Sequence, residues 1–261
     1  MTLVWRPGYG GAAVSDPDAQ AYLQAVEVAD NQALEQGVQQ AVNQFVIGCK
    51  QDGIWDAIKA SCILAGARTL TGALTPLAGT APTNFNFVSG DYNRKTGLVG
   101  NGSTKYLDSN RNNNADPQNS NHLCVFVTAV LAGSGSRQMI GKGGTTGLPG
   151  STHIVMTDTT IGQRSRSSAY FIVSGVGNST GLLGINRAGS SSFNYRHGGV
   201  AGVITSTSQA PLDGNVQIYA SDGLANSADR LAFYSIGESL DLAALDTRVS
   251  ALITAIGAAM P

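Results

Sequence analysis

The densest run of chemistry-bearing side chains is SSSFNYRHGG, residues 190–199. Phe193 and Tyr195 stand two apart, the spacing that puts two side chains on one face of a strand. Asn194, Arg196 and His197 add an amide, a guanidinium and an imidazole beside a glycine pair. Rings next to directional hydrogen-bonding groups suit a sugar, whose C–H faces stack while its hydroxyls bond. Asn194, Tyr195, Arg196 and His197 are therefore the candidate ligand-binding residues. The same spacing also suits a strand whose aromatic side chains belong to a core, and the sequence leaves the two readings open.

Catalytic constellations are missing. Glycoside hydrolysis requires two carboxyl groups flanking the bond. The chain has three Glu, of which Glu27 and Glu35 lie in a helical N-terminal part and Glu238 lies at a turn before the last helix. No pair of acids two or four apart falls in an expected strand. His122, His153 and His197 are scattered without HxH or HExxH spacing, so no zinc motif is present. No G-x-S-x-G elbow occurs, and GKGGTTG, residues 141–147, lacks the lysine and helix that would make it a phosphate loop. The expectation is a protein without enzymatic activity.

Composition narrows the class further. Cys49, Cys62 and Cys124 form an odd set without metal spacing, which reads as buried, reduced thiols in a protein made in a cytoplasm. No run of 18 or more apolar residues occurs, and MTLVWRPGYGG lacks the basic-then-apolar order of a signal peptide, so no membrane insertion is expected. The net charge of −1 conceals an asymmetry: residues 117–212 carry Arg137, Lys142, Arg164, Arg166, Arg187 and Arg196 against Asp158 alone, while residues 1–60 hold seven acids against three bases. That middle segment is either a solvated basic sheet face or a surface that docks on acidic groups. Its bases are dispersed and accompany no nucleic-acid motif, so nucleic acid is not an expected partner.

The elements that must position these residues are readable from periodicity. Asp16 followed by Pro17 marks a helix start. Tyr22, Val26, Ala29 and Ala33 continue it, and the stripe shifts near Asp30 and Asn31 before Leu34, Val38, Ala41 and Phe45 resume it, which predicts a kink or a second helix. Ile54, Ile58, Cys62 and Ala65 predict another helix that ends at Gly66. Pro76, Gly79 and Pro82 punctuate a linker. From Asn84 the pattern alternates, and NFNFV puts Phe85 and Phe87 on one face. Turn clusters then recur every eight to fifteen residues, the rhythm of an antiparallel sandwich. Near the C-terminus, RLAFYSIG alternates as a strand, Ser239 is placed to cap a helix, and Leu242, Leu245, Val249, Leu252 and Ile256 form one apolar stripe.

The strand and helix of residues 230–260, together with GLVGNGSTKYLDSN (97–110) as an early hairpin and HLCVFVTAVLAGSG (122–135) as an inner strand, resemble the concanavalin A-like (laminin-G-like) jelly-roll domains of bacteriophage and prophage virion proteins. The resemblance covers residues 84–261. It implies a mainly β fold, a concanavalin A-like antiparallel jelly-roll sandwich with an N-terminal helical segment and a C-terminal helix. It divides the chain into an arm, helices and linker (1–83) and the sandwich with its closing helix (84–261). It further implies a non-enzymatic virion structural protein, made in the host cytoplasm, that serves as a tail, fibre or surface component for assembly or host attachment. A glycan-binding adhesin and a head decoration protein are the alternatives, with a glycoside hydrolase behind them. Expected partners are other virion proteins, a host-surface glycan and the chain itself as a homo-oligomer, a trimer by resemblance. No cofactor is implied except a rim calcium ion, for which Asp91, Asn93 and Asn101 are the candidate ligands, although Asp and Asn are also ordinary turn formers.

Overall fold

Asp16 accepts hydrogen bonds from the backbone N–H groups of Asp18 and Ala19, and Pro17 opens helix α1, Pro17–Asp30. In the computed structural model, which describes residues 14–131, 135–144, 148–222 and 226–260, α1 ends where Asn31 turns left-handed with φ 51°. The expected break is thus a true chain reversal into α2, Gln36–Gln51. The arm expected at the extreme N-terminus falls in residues 1–13, outside the described residues.

The helix expected after Ile54 is a strand instead. A short 3-10 turn, Trp55–Ala57, leads into β1, Ile58–Ile63. The segment IKASCI fits both periods, and tertiary pairing decides between them. β1 pairs with β15, Arg230–Gly237, along the half of that strand that β4, Gly97–Val99, leaves open. A four-residue helix α3, Leu70–Ala73, follows, with Thr69 capping it and the buried Asp30 carboxylate accepting from Thr69 N and Oγ1 at 2.9 and 2.6 Å.

Two antiparallel sheets form the sandwich. Sheet A contains β1, β3 (Tyr92–Asn93), β4, β6 (Asn121–Ala129), β11 (Gly181–Arg187), β12 (Ser192–His197), β13 (Val200–Thr205) and β15. Its order runs β13-β12-β11-β6-β15-β4-β3 with β1 beside β15. Sheet B contains β2 (Thr83–Phe85), β5 (Tyr106–Asn112), β7 (Arg137–Lys142), β8 (Thr152–Met156), β9 (Thr160–Ser165), β10 (Phe171–Ser174) and β14 (Asn215–Ile218). Its order is β10-β9-β8-β7-β14-β5-β2. The mainly β, jelly-roll-like sandwich with N-terminal helices and a C-terminal helix is therefore present.

Details of the expected strands differ. Residues 97–110 do not form a hairpin: β4 lies in sheet A and β5 in sheet B, and the hairpin is β3–β4. Phe85 and Phe87 do not share a face, because Asn86 is left-handed with φ 67°; Phe85 is exposed and Phe87 buried. The last helix, α4 (Leu242–Ala258), is capped by Asp241, not Ser239. The Asp241 carboxylate accepts from Ala243 N at 2.7 Å, and its charge suits the positive end of the helix.

Two apolar cores hold the layers together. One fills the space between the sheets, with Leu123, Val125, Leu183, Ile185, Ile140 and Ile154 among its members. The other lies on the opposite face of sheet A, where Cys124, Leu182 and Phe233 meet α1, α2 and α4. The whole α4 stripe is buried there, at roughly 1.5–3 kcal/mol of transfer free energy for each fully buried side chain. Residues 1–83 and 84–261 thus share both a sheet and a core.

Candidate functional site

A concavity that includes several of the predicted residues lies where α4 starts, against the free edge of sheet A. It has a volume of about 590 Å³ and is lined by Asn186, Asn194, Tyr195, Arg196, Ala201, Gly202, Val203 and residues 240–243. Cross-strand register builds its floor in two rows: Asn186, Asn194 and Val203 in one, and Gly184, Arg196 and Ala201 in the other. Gly184 matters because a Cβ there would sit 2.9 Å from Leu242 Cδ2; its absence lets the start of α4 descend onto the sheet and form the wall.

Hydrogen bonds fix that geometry. Asn186 Oδ1 accepts from Leu240 N at 2.8 Å, which ties the chain before α4 to β11. Arg196 Nε donates to Asp246 Oδ2 at 2.6 Å, and Asp246 Oδ1 accepts from Ser250 Oγ. Asn194 and Val203 are exposed, Val203 at 68%. The groove thus offers an amide, a guanidinium and a small apolar shelf.

The four predicted ligand residues are divided by the strand's own alternation. Asn194 and Arg196 face the groove and α4. Phe193 and His197 are buried, and Tyr195 is half-buried, packed against the core between the sheets with its ring stacked 5.2 Å from that of His197. Tyr195 also lines the groove, and its ring passes Gly202. The core-face reading of the two aromatics is the one the structure shows, completely for Phe193 and in part for Tyr195. His197 is removed from the candidate set: it is fully buried, and its Nε2 donates to Gln163 Oε1 at 2.8 Å. Burial pushes its pKa down to about 3.

Asp91, Asn93 and Asn101 each serve local contacts. Asp91 accepts from Val88 N at 2.8 Å and from Lys105 Nζ at 2.5 Å. Asn93 Oδ1 accepts from Lys95 and Thr96 N–H groups, and Asn101 Oδ1 from those of Ser103, Thr104 and Lys105. Their oxygens are thus engaged in turn formation and, at Asp91, in an ion pair with Lys105. Among the described residues no group of three or more His, Cys, Asp or Glu side chains is arranged to hold a metal ion.

The basic middle segment is not a basic surface. Arg187 is fully buried and donates to the carbonyls of Ser165, Gly189, Ser192 and Ser206. Arg166, also buried, donates to the carbonyls of Asp116 and Pro117. Arg137 pairs with Asp158 and Asp229, Lys142 with Asp222, and Arg196 with Asp246. These cations staple loops and strand ends; the docking reading of the +5 segment loses its surface. All three cysteines are buried, and burial raises their thiols, to about 12 for Cys49 and Cys62, so they are unreactive.

Sequence reasoning also missed residues. His153, Gln138 and Arg164 lie on the outward face of sheet B yet are buried, with Tyr170 against two of them: its ring is 5.8 Å from that of His153 and 5.3 Å from the Arg164 guanidinium. Gly141 and Gly162, in mid-strand, were the available signal, since glycine inside a strand marks a close approach.

No family model and no curated protein sequence matches the chain. Among solved structures the chain is similar to the botulinum neurotoxin serotype D binding domain, at 11% identity and TM-score 0.51 over 75% of this chain and 51% of that one. That likeness is one of fold, and the chain spans about half the length of that structure. More distant are the enzymatically active domain of bacteriophage CBA120 tailspike protein 2 (12% identity, TM-score 0.43, 67% of this chain and 29% of that one) and a Ruminococcus gnavus IT-sialidase CBM40 bound to α2,3-sialyllactose (8%, TM-score 0.39, 50% and 82%). The fold is a jelly-roll-like sandwich.

Proposed function

We propose that this chain is a non-enzymatic structural component of a bacteriophage particle, in the tail, a fibre or the particle surface, where it serves assembly or host attachment through a glycan. The observation that carries the binding part is the groove between α4 and β11–β13, which presents the amides of Asn186 and Asn194 and the Arg196 guanidinium beside Ala201 and Val203. Asp241 is the acid among its lining residues, and its carboxylate is engaged as a helix cap. This lining, in which Asp241 is the single carboxylate, supports a binding role over glycoside hydrolysis, which uses a carboxyl pair.

The test is binding of the full chain to bacterial surface polysaccharides, with Asn194→Ala combined with Arg196→Ala. Binding should weaken at least about tenfold while the far-ultraviolet circular dichroism spectrum is unchanged, the scale of two lost hydrogen bonds. Undiminished binding by the double variant refutes the groove. Absence of the chain from purified particles refutes the virion assignment. Self-association as a trimer belongs to the same reading. The α4 stripe is buried within the chain, so the contact must use other surface, such as the α1 face that exposes Val28 at 81%; a monomer by light scattering at micromolar concentration removes it.

A further inference from the structure

The outward face of sheet B holds unpaired polar chemistry that the sandwich does not need. Cross-strand register sets Gln217, Gly141, His153 and Arg164 in one row and Gln138, Val155, Gly162 and Ile172 in the next. Gln138 and His153 are fully buried, yet neither atom of the Gln138 amide and neither ring nitrogen of His153 has a hydrogen-bond partner, and Gln217 Oε1 has none. Each buried polar atom left without a partner costs about 1–3 kcal/mol. Five such atoms on one face are a set that a bound polar group would satisfy.

Gly162 shows where a ring can lie against this face, whereas Gly141 makes way for His153 on the neighbouring strand. Neither Gly141 nor Gly162 has a left-handed φ, so backbone conformation does not demand them. At Gly162 a Cβ would lie 1.8 Å from Tyr170 Oη: the phenol lies on the sheet in the space that any other residue would fill. Tyr170 is 42% exposed, sits just ahead of β10 beside exposed Ile172, and belongs to neither apolar core.

We propose that this face is a saccharide-binding site which Tyr170 closes, its ring occupying the place of a sugar ring. The donor and acceptor set selects the ligand class. Unpaired Gln138 Oε1 and Gln217 Oε1 accept, Gln138 Nε2 donates, and neutral His153 offers one of each. An anion needs donors alone, whereas a sugar hydroxyl both donates and accepts. Arg164, in the same row, is engaged by the Gly144 carbonyl and the Tyr170 ring, so neutral hexopyranoses fit the remaining set. The site is separate from the α4 groove; the proposal rests on the attachment reading for its biological sense only.

The test is isothermal titration with saturation-transfer NMR of the full chain against glucose, galactose, mannose, N-acetylglucosamine and their disaccharides. Since Tyr170 and the sugar compete, Tyr170→Ala should bind at least about tenfold more tightly than the wild type, as removing a closed state populated above nine-tenths requires. In the Tyr170→Ala background, Gln138→Leu or Gly162→Ala should weaken binding at least about tenfold, whereas Asn194→Ala should leave it unchanged. Failure of Tyr170→Ala to bind any of these sugars, affinity no greater than the wild type, or full binding by the Gly162→Ala variant overturns the proposal. A gain in thermal stability for Gln138→Leu with His153→Phe, without sugar binding by Tyr170→Ala, would show that the polar atoms hold only water. Each of these outcomes leaves the groove to be judged by its own variants.

Discussion

Lowering the pH from 8 to 5 should destabilise this protein severely, because all its histidines are folded into the interior as neutral rings. His122 donates from Nδ1 to the Glu238 carbonyl at 2.6 Å and accepts at Nε2 from Ser235 Oγ at 2.7 Å. His197 bonds to Gln163, and His153 lies beside Arg164 and Tyr170 with Asp222 nearby. Burial lowers the three pKa values to about 4, 3 and 3 respectively, with the positive charge of Arg164 adding to the effect at His153. The folded values lie below the unfolded value of about 6.5, so the unfolded chain takes up protons that the folded chain refuses. Stability is therefore complete above pH 6.5 and falls as the pH drops from there toward 4. At pH 5, about 1.5 units below the unfolded value, the loss is about 2 kcal/mol per histidine at about 1.4 kcal/mol per unit, or about 6 kcal/mol for three. Domains of this size have about 5–15 kcal/mol in total. Urea denaturation followed by circular dichroism at pH 8, 6 and 5 measures the loss, and imidazole NMR signals should stay at their neutral shifts down to pH 5. His197→Asn should reduce the slope between pH 6 and 5 by about one third. A denaturation midpoint that does not move between pH 8 and 5, or imidazoles that titrate near 6.5, would refute the reasoning.

Two further outcomes follow from the same packing. A fragment of residues 84–261 should fail to fold as a soluble monomer, because it lacks β1 beside β15 and exposes the Cys124, Leu182 and Phe233 face that α1 and α2 help to cover; a soluble fragment with cooperative unfolding would show that the helical part is dispensable. Arg187→Met should cost at least about 3 kcal/mol in urea denaturation, since it leaves several buried carbonyls unpaired, and Arg187→Lys should not restore it because one ammonium cannot span them; a loss below 1 kcal/mol would refute the stapling role.

Periodicity made the sandwich legible wherever one face of an element meets a core and the other does not. The strand at 230–237 and the stripe from Leu242 to Ile256 are such cases, and α4 lies with that stripe inward. β1 escaped because IKASCI is buried on nearly every residue, so its apolar spacing satisfies a helix as well as a strand, and only the free half of β15 decides. β13 carries little apolar signal for the opposite reason: VAGVIT is an edge strand exposed along most of its length. The candidate site failed at a finer level. Alternation correctly put Phe193 and Tyr195 together, but a period of two cannot say which face is the core, and the two polar residues kept for binding turned out to be the ones on the other side.

The arginines show why charge counted along the sequence did not become charge on the surface. A sandwich of this kind leaves long connections between sheets, and those connections carry carbonyl groups that no ladder pairs. A guanidinium has five N–H donors and no acceptor, so one buried Arg can satisfy several carbonyls at once, as Arg187 does at the end of β11. Its burial lowers its pKa to about 10, still far above neutral pH, so the side chain stays charged while spending its donors inward. An excess of bases in a loop-rich β segment is thus as consistent with internal stapling as with docking. Burial separates the two, and here it assigns Arg166 and Arg187 to the scaffold and leaves Arg196 as the segment's cation in the groove.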